Sequence, residues 1–155
     1  MDMEKNELAI QELIRALQAE KWGYEFYLGA SQRAKDLKAK KIFLRLTQEE
    51  VDHQLALKKL LEKMGEDWDI EGLTPMAMPG TKLPSLKKIA QSRISDKEAL
   101  EIGIKMEEAA INFYTELGRM VNDKEDKKFF KQLVDFEKEH LTSLQKSYSA
   151  IFDKS

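Results

Sequence analysis

The chain has 155 residues, no cysteine, three prolines and seven glycines, with 35% of its residues charged and a formal net charge of −2. That length allows one domain with a sizeable core. The small net charge offers no general attraction to nucleic acid or anionic lipid, and the absence of thiols excludes disulfides, thiolate metal sites and any cysteine-ligated iron centre in this chain. The charged start, Met1-Asp2-Met3-Glu4-Lys5, does not read as a signal peptide, and no apolar run reaches membrane-spanning length, so the cytoplasm is the expected compartment.

Apolar residues recur at helical spacing in four long stretches, in a sequence rich in strong helix formers. The first carries Leu13, Leu17, Tyr24 and Tyr27, and the second Phe43, Leu46, Leu57 and Leu60. Asp36 is placed to cap the start of the second, and Gly65 to end it. The segment from Glu66 to Ser95 breaks the pattern: it holds Pro75, Pro79 and Pro84, and reads as a crossover with a short helix over Leu86–Gln91. Ser95 with Glu98 forms a capping box opening the third stretch, which carries Leu100, Ile104, Ile111 and Tyr114. Asp123 caps the fourth, with Phe130, Leu133, Leu144 and Tyr148. The expected fold is all-α: a four-helix bundle of two antiparallel hairpins, about 5–65 and about 96–152, joined by a long crossover of about 66–95, making one domain over 1–155.

The two halves match at one constant offset. Glu20 and Glu107, Glu50 and Glu137, and His53 and His140 are each 87 residues apart, as are Phe26-Tyr27 and Phe113-Tyr114, Asp36 and Asp123, Phe43 and Phe130, and Leu46 and Leu133. The bundle therefore reads as a duplicated hairpin with a pseudo-twofold axis, and a ligand set that repeats with the hairpin should meet its copy across that axis.

Both histidines of the chain lie in Glu-x-x-His, as Glu50-Val51-Asp52-His53 and Glu137-Lys138-Glu139-His140. At a spacing of three, Glu and His share one helix face. Glu20, Glu50, His53, Glu107, Glu137 and His140 all continue the apolar rows, so six ionisable groups are expected to face the core. Four buried carboxylates without partners would be very costly or protonated. Two divalent cations would balance them, with imidazoles completing the shells, and carboxylate plus imidazole suits iron or manganese. One Glu from each of two helices plus Glu-x-x-His from each of the other two is the di-iron carboxylate pattern. The plainer alternative is a set of surface glutamates with two core histidines. Ala16 and Gly23 flank Glu20, and Gly103 and Ala110 flank Glu107; they would either keep space open beside the metals or allow close helix packing. Tyr27 and Tyr114, seven residues after Glu20 and Glu107, are placed to donate hydrogen bonds to ligand carboxylates.

The motifs Glu20-Lys-Trp-Gly-Tyr-Glu-Phe-Tyr27, Glu50-x-x-His53, Glu107-x5-Phe113-Tyr114 and Phe136-Glu137-Lys-Glu-His140-Leu141 resemble the rubrerythrin branch of the ferritin-like superfamily. The resemblance covers nearly the whole chain. It implies two irons held by Glu20, Glu50, His53, Glu107, Glu137 and His140, a homodimer, and reduction of hydrogen peroxide, or of dioxygen, with electrons from a separate donor such as rubredoxin. Rubrerythrins proper carry a further glutamate one turn after the third-helix ligand, where this chain has Ala110, and that difference leaves a ferroxidase, with iron as substrate, as the second reading. Bacterioferritin places its haem-ligating Met where this chain has Val51, so no haem is expected. A metal-independent helical interaction module is the third reading; neither nucleic acid nor membrane is an expected partner.

Overall fold

The computed structural model describes residues 3–153. Its helices are α1 (Met3–Arg33), α2 (Leu37–Lys63), α3 (Leu86–Ser92), α4 (Asp96–Met120) and α5 (Lys124–Phe152), with a 3-10 turn at Ile70–Gly72 and no strand among the described residues. The four long helices form a bundle: α1 packs against α2 and α4 against α5, while α1 faces α4 and α2 faces α5 across the middle.

The helix ends follow from local chemistry. Asp36 accepts from the amides of Lys38 and Ala39, and Asp123 from those of Glu125 and Asp126, so each hairpin turns within three residues. Ser95 and Glu98 close the capping box at the start of α4. Asp96 also accepts from Asp36 N at 2.8 Å, tying the start of the second hairpin to the turn of the first. After α2 the chain reverses at Gly65, whose φ of +86° lies in the left-handed region that glycine adopts without a steric cost. The repeat extends to these boundaries: α1 ends at Arg33 and α4 at Met120, and α2 begins at Leu37 and α5 at Lys124, again 87 residues apart.

The apolar rows make two cores rather than one. Leu13, Leu17, Leu57, Tyr114, Leu117, Phe130 and Leu133 pack in the first. Trp22, Phe26, Tyr27, Phe43, Leu46, Leu100 and Leu144 pack in the second. The 87-residue offset exchanges them: Leu13 with Leu100, Phe130 with Phe43, Leu57 with Leu144. The pseudo-dyad therefore runs between the cores, through a layer that neither core fills. The crossover seals both, with Met78 in the first and Ile89 in the second. Each fully buried leucine is worth about 1.5–3 kcal/mol of apolar burial, so two such cores can carry a polar layer between them.

One polar clamp holds the crossover in place. Lys21 Nζ donates to the carbonyls of Ile70, Glu71 and Leu73 at 3.1, 2.8 and 2.8 Å, fixing the 3-10 turn against α1. Hydrogen bonds to charged groups contribute about 1.5–3 kcal/mol each when isolated, and less when they share one ammonium. Lys21→Met is expected to cost about 1–3 kcal/mol and to speed proteolysis within the crossover while leaving helical content intact. Limited proteolysis checks this; an unchanged cleavage rate between the hairpins would refute the clamp.

Candidate metal centre

The layer between the cores holds Glu20, Glu50, His53, Glu107, Glu137 and His140, each between 1% and 7% exposed. They fall into two groups, Glu20–His53–Glu137 and Glu50–Glu107–His140, each with its potential ligand atoms within 4.8 Å of one another. The offset maps one group onto the other, with Glu50 and Glu137 exchanging places. His53 Nδ1 lies 3.1 Å from Glu137 Oε1 and 3.5 Å from Glu20 Oε2. His140 Nδ1 lies 3.4 Å from Glu137 Oε2 and 3.6 Å from Glu107 Oε1. Glu137 thus offers one oxygen to each side, and the two imidazoles stack at 5.5 Å between ring centroids.

Four carboxylates in one dry layer cannot all remain ionised. Burial, with the charge of Glu20 beside it, pushes Glu50 well above the usual carboxylate range, and burial with the charge of Glu137 does the same to Glu107. Burial alone would also raise Glu137, but its contacts with Glu107, His140 and His53 outweigh that and hold it well below the normal range. Burial alone would lower both imidazoles. The carboxylates of Glu20 and Glu137 instead push His53 up to about 10. Those of Glu107, Glu137 and Glu49 push His140 up to about 12. Protons therefore supply the positive charge that the carboxylates require, at atoms where a metal would supply it instead.

The residues fit a metal pair on geometry as well. In the layer, His53 Nδ1, His140 Nδ1 and Glu137 Oε1 are buried and make no hydrogen bond within the described residues, although each faces atoms of its neighbours that can ligate a metal. Such orphaned atoms are costly in a protein interior unless something binds them, and a cation between them would satisfy all three.

The tyrosines reach across the bundle. Tyr27 Oη donates to Glu107 Oε1 at 2.8 Å, and Tyr114 Oη donates to Glu20 Oε1. Each hydroxyl thus serves the glutamate of the opposite hairpin rather than the one on its own helix. Burial and the neighbouring carboxylates raise both phenols, keeping them protonated as donors. The small residues permit these approaches. A Cβ at Gly103 would lie 3.3 Å from Tyr27 Cε1 and Oη, and one at Gly23 would lie 3.2 Å from Glu50 Cδ and Oε2 and from Met106 Cε. Of the two readings of the small residues, the structure favours close packing: the glycines admit Tyr27 and Glu50, and Ala16 and Ala110 pack in the first core. Trp22 stacks on Phe26, and Trp68 packs against the first core.

One residue at the layer escaped sequence reasoning. Glu49 Oε2 lies 2.7 Å from His140 Nε2, on the outer side of that ring. Glu49 is off the apolar row, and its counterpart at the 87-residue offset is Phe136, so periodicity and repeat both pass it over.

A helical bundle with a buried carboxylate–histidine layer between two apolar cores defines a ferritin-like protein with a candidate metal centre. A family model described as Rubrerythrin matches residues 12–148, and the chain belongs to the rubrerythrin family. Among solved structures, the chain is similar to "Hypothetical Protein Pfu-1136390-001" from Pyrococcus furiosus, with 25% identity, a TM-score of 0.72, and coverage of 94% of this chain and 90% of that one. It also shares its fold with a DUF305 fragment from Deinococcus radiodurans, at 10% identity and a TM-score of 0.74, covering 92% of this chain and 96% of that one. No curated protein matches the sequence. Among the described residues, no helix is long and apolar enough to cross a membrane.

Proposed function

We propose that the protein is a di-iron oxidoreductase that reduces hydrogen peroxide with electrons from a separate donor protein. The observation that carries this reading is the pair of buried, repeat-related groups, Glu20–His53–Glu137 and Glu50–Glu107–His140, in a chain of the rubrerythrin family. These residues would hold two irons; manganese is the other metal their chemistry suits. Bound iron would supply the electrons for O–O cleavage. The chain's own contribution is positioning. Tyr27 and Tyr114 hold Glu107 and Glu20 in place as charge changes beside them, and the two apolar cores keep bulk water from the layer. A rubredoxin-type donor, a homodimeric assembly and a cytoplasmic setting complete the proposal.

Ala110 favours a second reading. It packs in the first core, so this face of α4 brings no further carboxylate to the layer, and a ferroxidase with iron as substrate fits that plainer donor set. Stopped-flow mixing of the anaerobic ferrous protein with equal concentrations of peroxide and dioxygen separates the two. Faster oxidation by peroxide, with turnover when a rubredoxin-type reductant is added, is expected. Faster oxidation by dioxygen with accumulating ferric iron would replace the peroxidase by the ferroxidase, and failure to bind any metal would leave the helical interaction module.

A further inference from the structure

The repeat that builds the centre is broken at one position beside it. Glu49 and Phe136 occupy equivalent places, one residue before the glutamate of each Glu-x-x-His. Each lies against the histidine of the opposite hairpin. Glu49 Oε2 is 2.7 Å from His140 Nε2, whereas the half-exposed Phe136 ring lies 6.2 Å from that of His53, tilted by 42°. Among the described residues, no carboxylate comes within ion-pair distance of His53 Nε2. The two histidines are otherwise alike, both buried and both turning Nδ1 toward the carboxylates of the layer.

This difference falls on the donor strength of the ring. An imidazole whose outer nitrogen faces a carboxylate keeps its proton on that nitrogen, directs the lone pair of the other inward, and is held against rotation. Glu49 puts such a carboxylate beside the outer nitrogen of His140, close enough to pair with it although not in line for a hydrogen bond. His53 has an apolar neighbour in the same place, so neither its tautomer nor its ring orientation is fixed from outside. Arg45 Nε stands 4.0 Å from the same Glu49 oxygen, one turn earlier on α2.

Building on the proposed metal pair, we infer that Glu49 is a positioning residue that makes the two metal positions unequal. The Glu50–Glu107–His140 position holds a divalent ion more tightly than the Glu20–His53–Glu137 position. The first ion to enter and the last to leave is the one beside His140, and the exchangeable ion is the one beside His53 and Phe136.

Anaerobic titration of the metal-free protein with manganous ion, read by the electron paramagnetic resonance of the free ion, tests this. The wild type is expected to bind two ions in two resolved steps. Glu49→Ala should weaken the tighter step by about 10–100-fold, the usual effect of losing a carboxylate behind a histidine ligand, with Glu49→Gln intermediate. Phe136→Glu should strengthen the looser step and bring the two together. Circular dichroism confirms the fold of each variant. Uptake of two ions in one step, or a tighter step unmoved in Glu49→Ala, would overturn the inequality while leaving the metal pair standing. No uptake at all by the wild type would overturn both.

Discussion

Glu137→Ala is expected to empty both metal positions, a larger effect than loss of any histidine. The reason is its placement: Oε1 lies 3.1 Å from His53 Nδ1 and Oε2 3.4 Å from His140 Nδ1, so one carboxylate borders both groups. His53→Ala and His140→Ala each remove a donor from one group only, and each should leave one ion in place. Removing an outer partner of a ligand typically weakens binding about 10–100-fold, and removing a ligand shared by two ions should exceed that for both. Elemental analysis after anaerobic reconstitution should therefore give two ions for the wild type, close to one for either histidine variant, and well below one for Glu137→Ala. The deletion also leaves His53 and His140 with fewer partners, so unchanged circular dichroism must accompany the result. Retention of two ions by folded Glu137→Ala would show that Glu137 does not join the two positions.

The second large effect is on stability, and its sign with pH is fixed by the same layer. His53 and His140 have folded values of about 10 and about 12, above the unfolded value of 6.5. Their stabilisation is fully present below pH 6.5 and is lost as pH rises through the folded values. Glu50 and Glu107 are also raised from 4.5, so above that value the unfolded state binds fewer protons than the native one and stability again falls with rising pH. Glu137 is depressed and contributes oppositely, but only in the acid range below 4.5. The melting temperature of the metal-free protein should therefore fall between about pH 6 and pH 10.

Ferrous ion should reverse that trend. Metal displaces protons from the same atoms, so its affinity rises with pH. At a free concentration 100 times the dissociation constant, each ion adds about 2.7 kcal/mol, or on the order of 5 kcal/mol for two, which is a rise of about 10–20 °C for a chain of this size. Anaerobic thermal melts at pH 6 and pH 8, with and without ferrous ion, should show a larger gain at the higher pH. No gain at either value would mean that the layer takes protons but not metal, and an equal gain at both would mean that the ion binds away from the protonated atoms of the layer.

Much of this was legible in the chain because duplication shows every signal twice. Glu20 alone is one glutamate among many in a charged sequence. Glu20 with Glu107 at the offset shared by Glu50 and Glu137, and by His53 and His140, marks a layer, and the apolar rows on either side place it inside the bundle. The helix starts at Asp36, Ser95 and Asp123 could be read because a side-chain acceptor before a helical row has one local use. The direction of Tyr27 and Tyr114 could not be read. Their position on the same helix face as Glu20 and Glu107 is a property of one helix, whereas the partner they choose depends on how two hairpins cross. Glu49 was hidden for the opposite reason: it works where the repeat fails, and Phe136 opposite it gave no second copy of the signal. The packing role of Gly23 and Gly103 likewise depends on which side chain arrives from another helix, and Lys21 finds its three carbonyls in a segment with no periodicity.

The exchange of the two cores by the repeat has a further bearing on the crossover. Each hairpin lends residues to both cores, so neither has a core to itself, and the pairing of hairpins is a binding reaction between two nearly identical surfaces. The crossover converts that reaction from bimolecular to unimolecular, raising the local concentration of each hairpin about the other. The turn at Pro79-Gly80 lies between Met78, which seals the first core, and Ile89, which seals the second. A break there would leave each half with its own plug. What the covalent link adds is chiefly the pairing of a half bearing Glu49 with a half bearing Phe136: two copies of either half could form a symmetric bundle, but only the tethered pair guarantees a centre with one side of each kind.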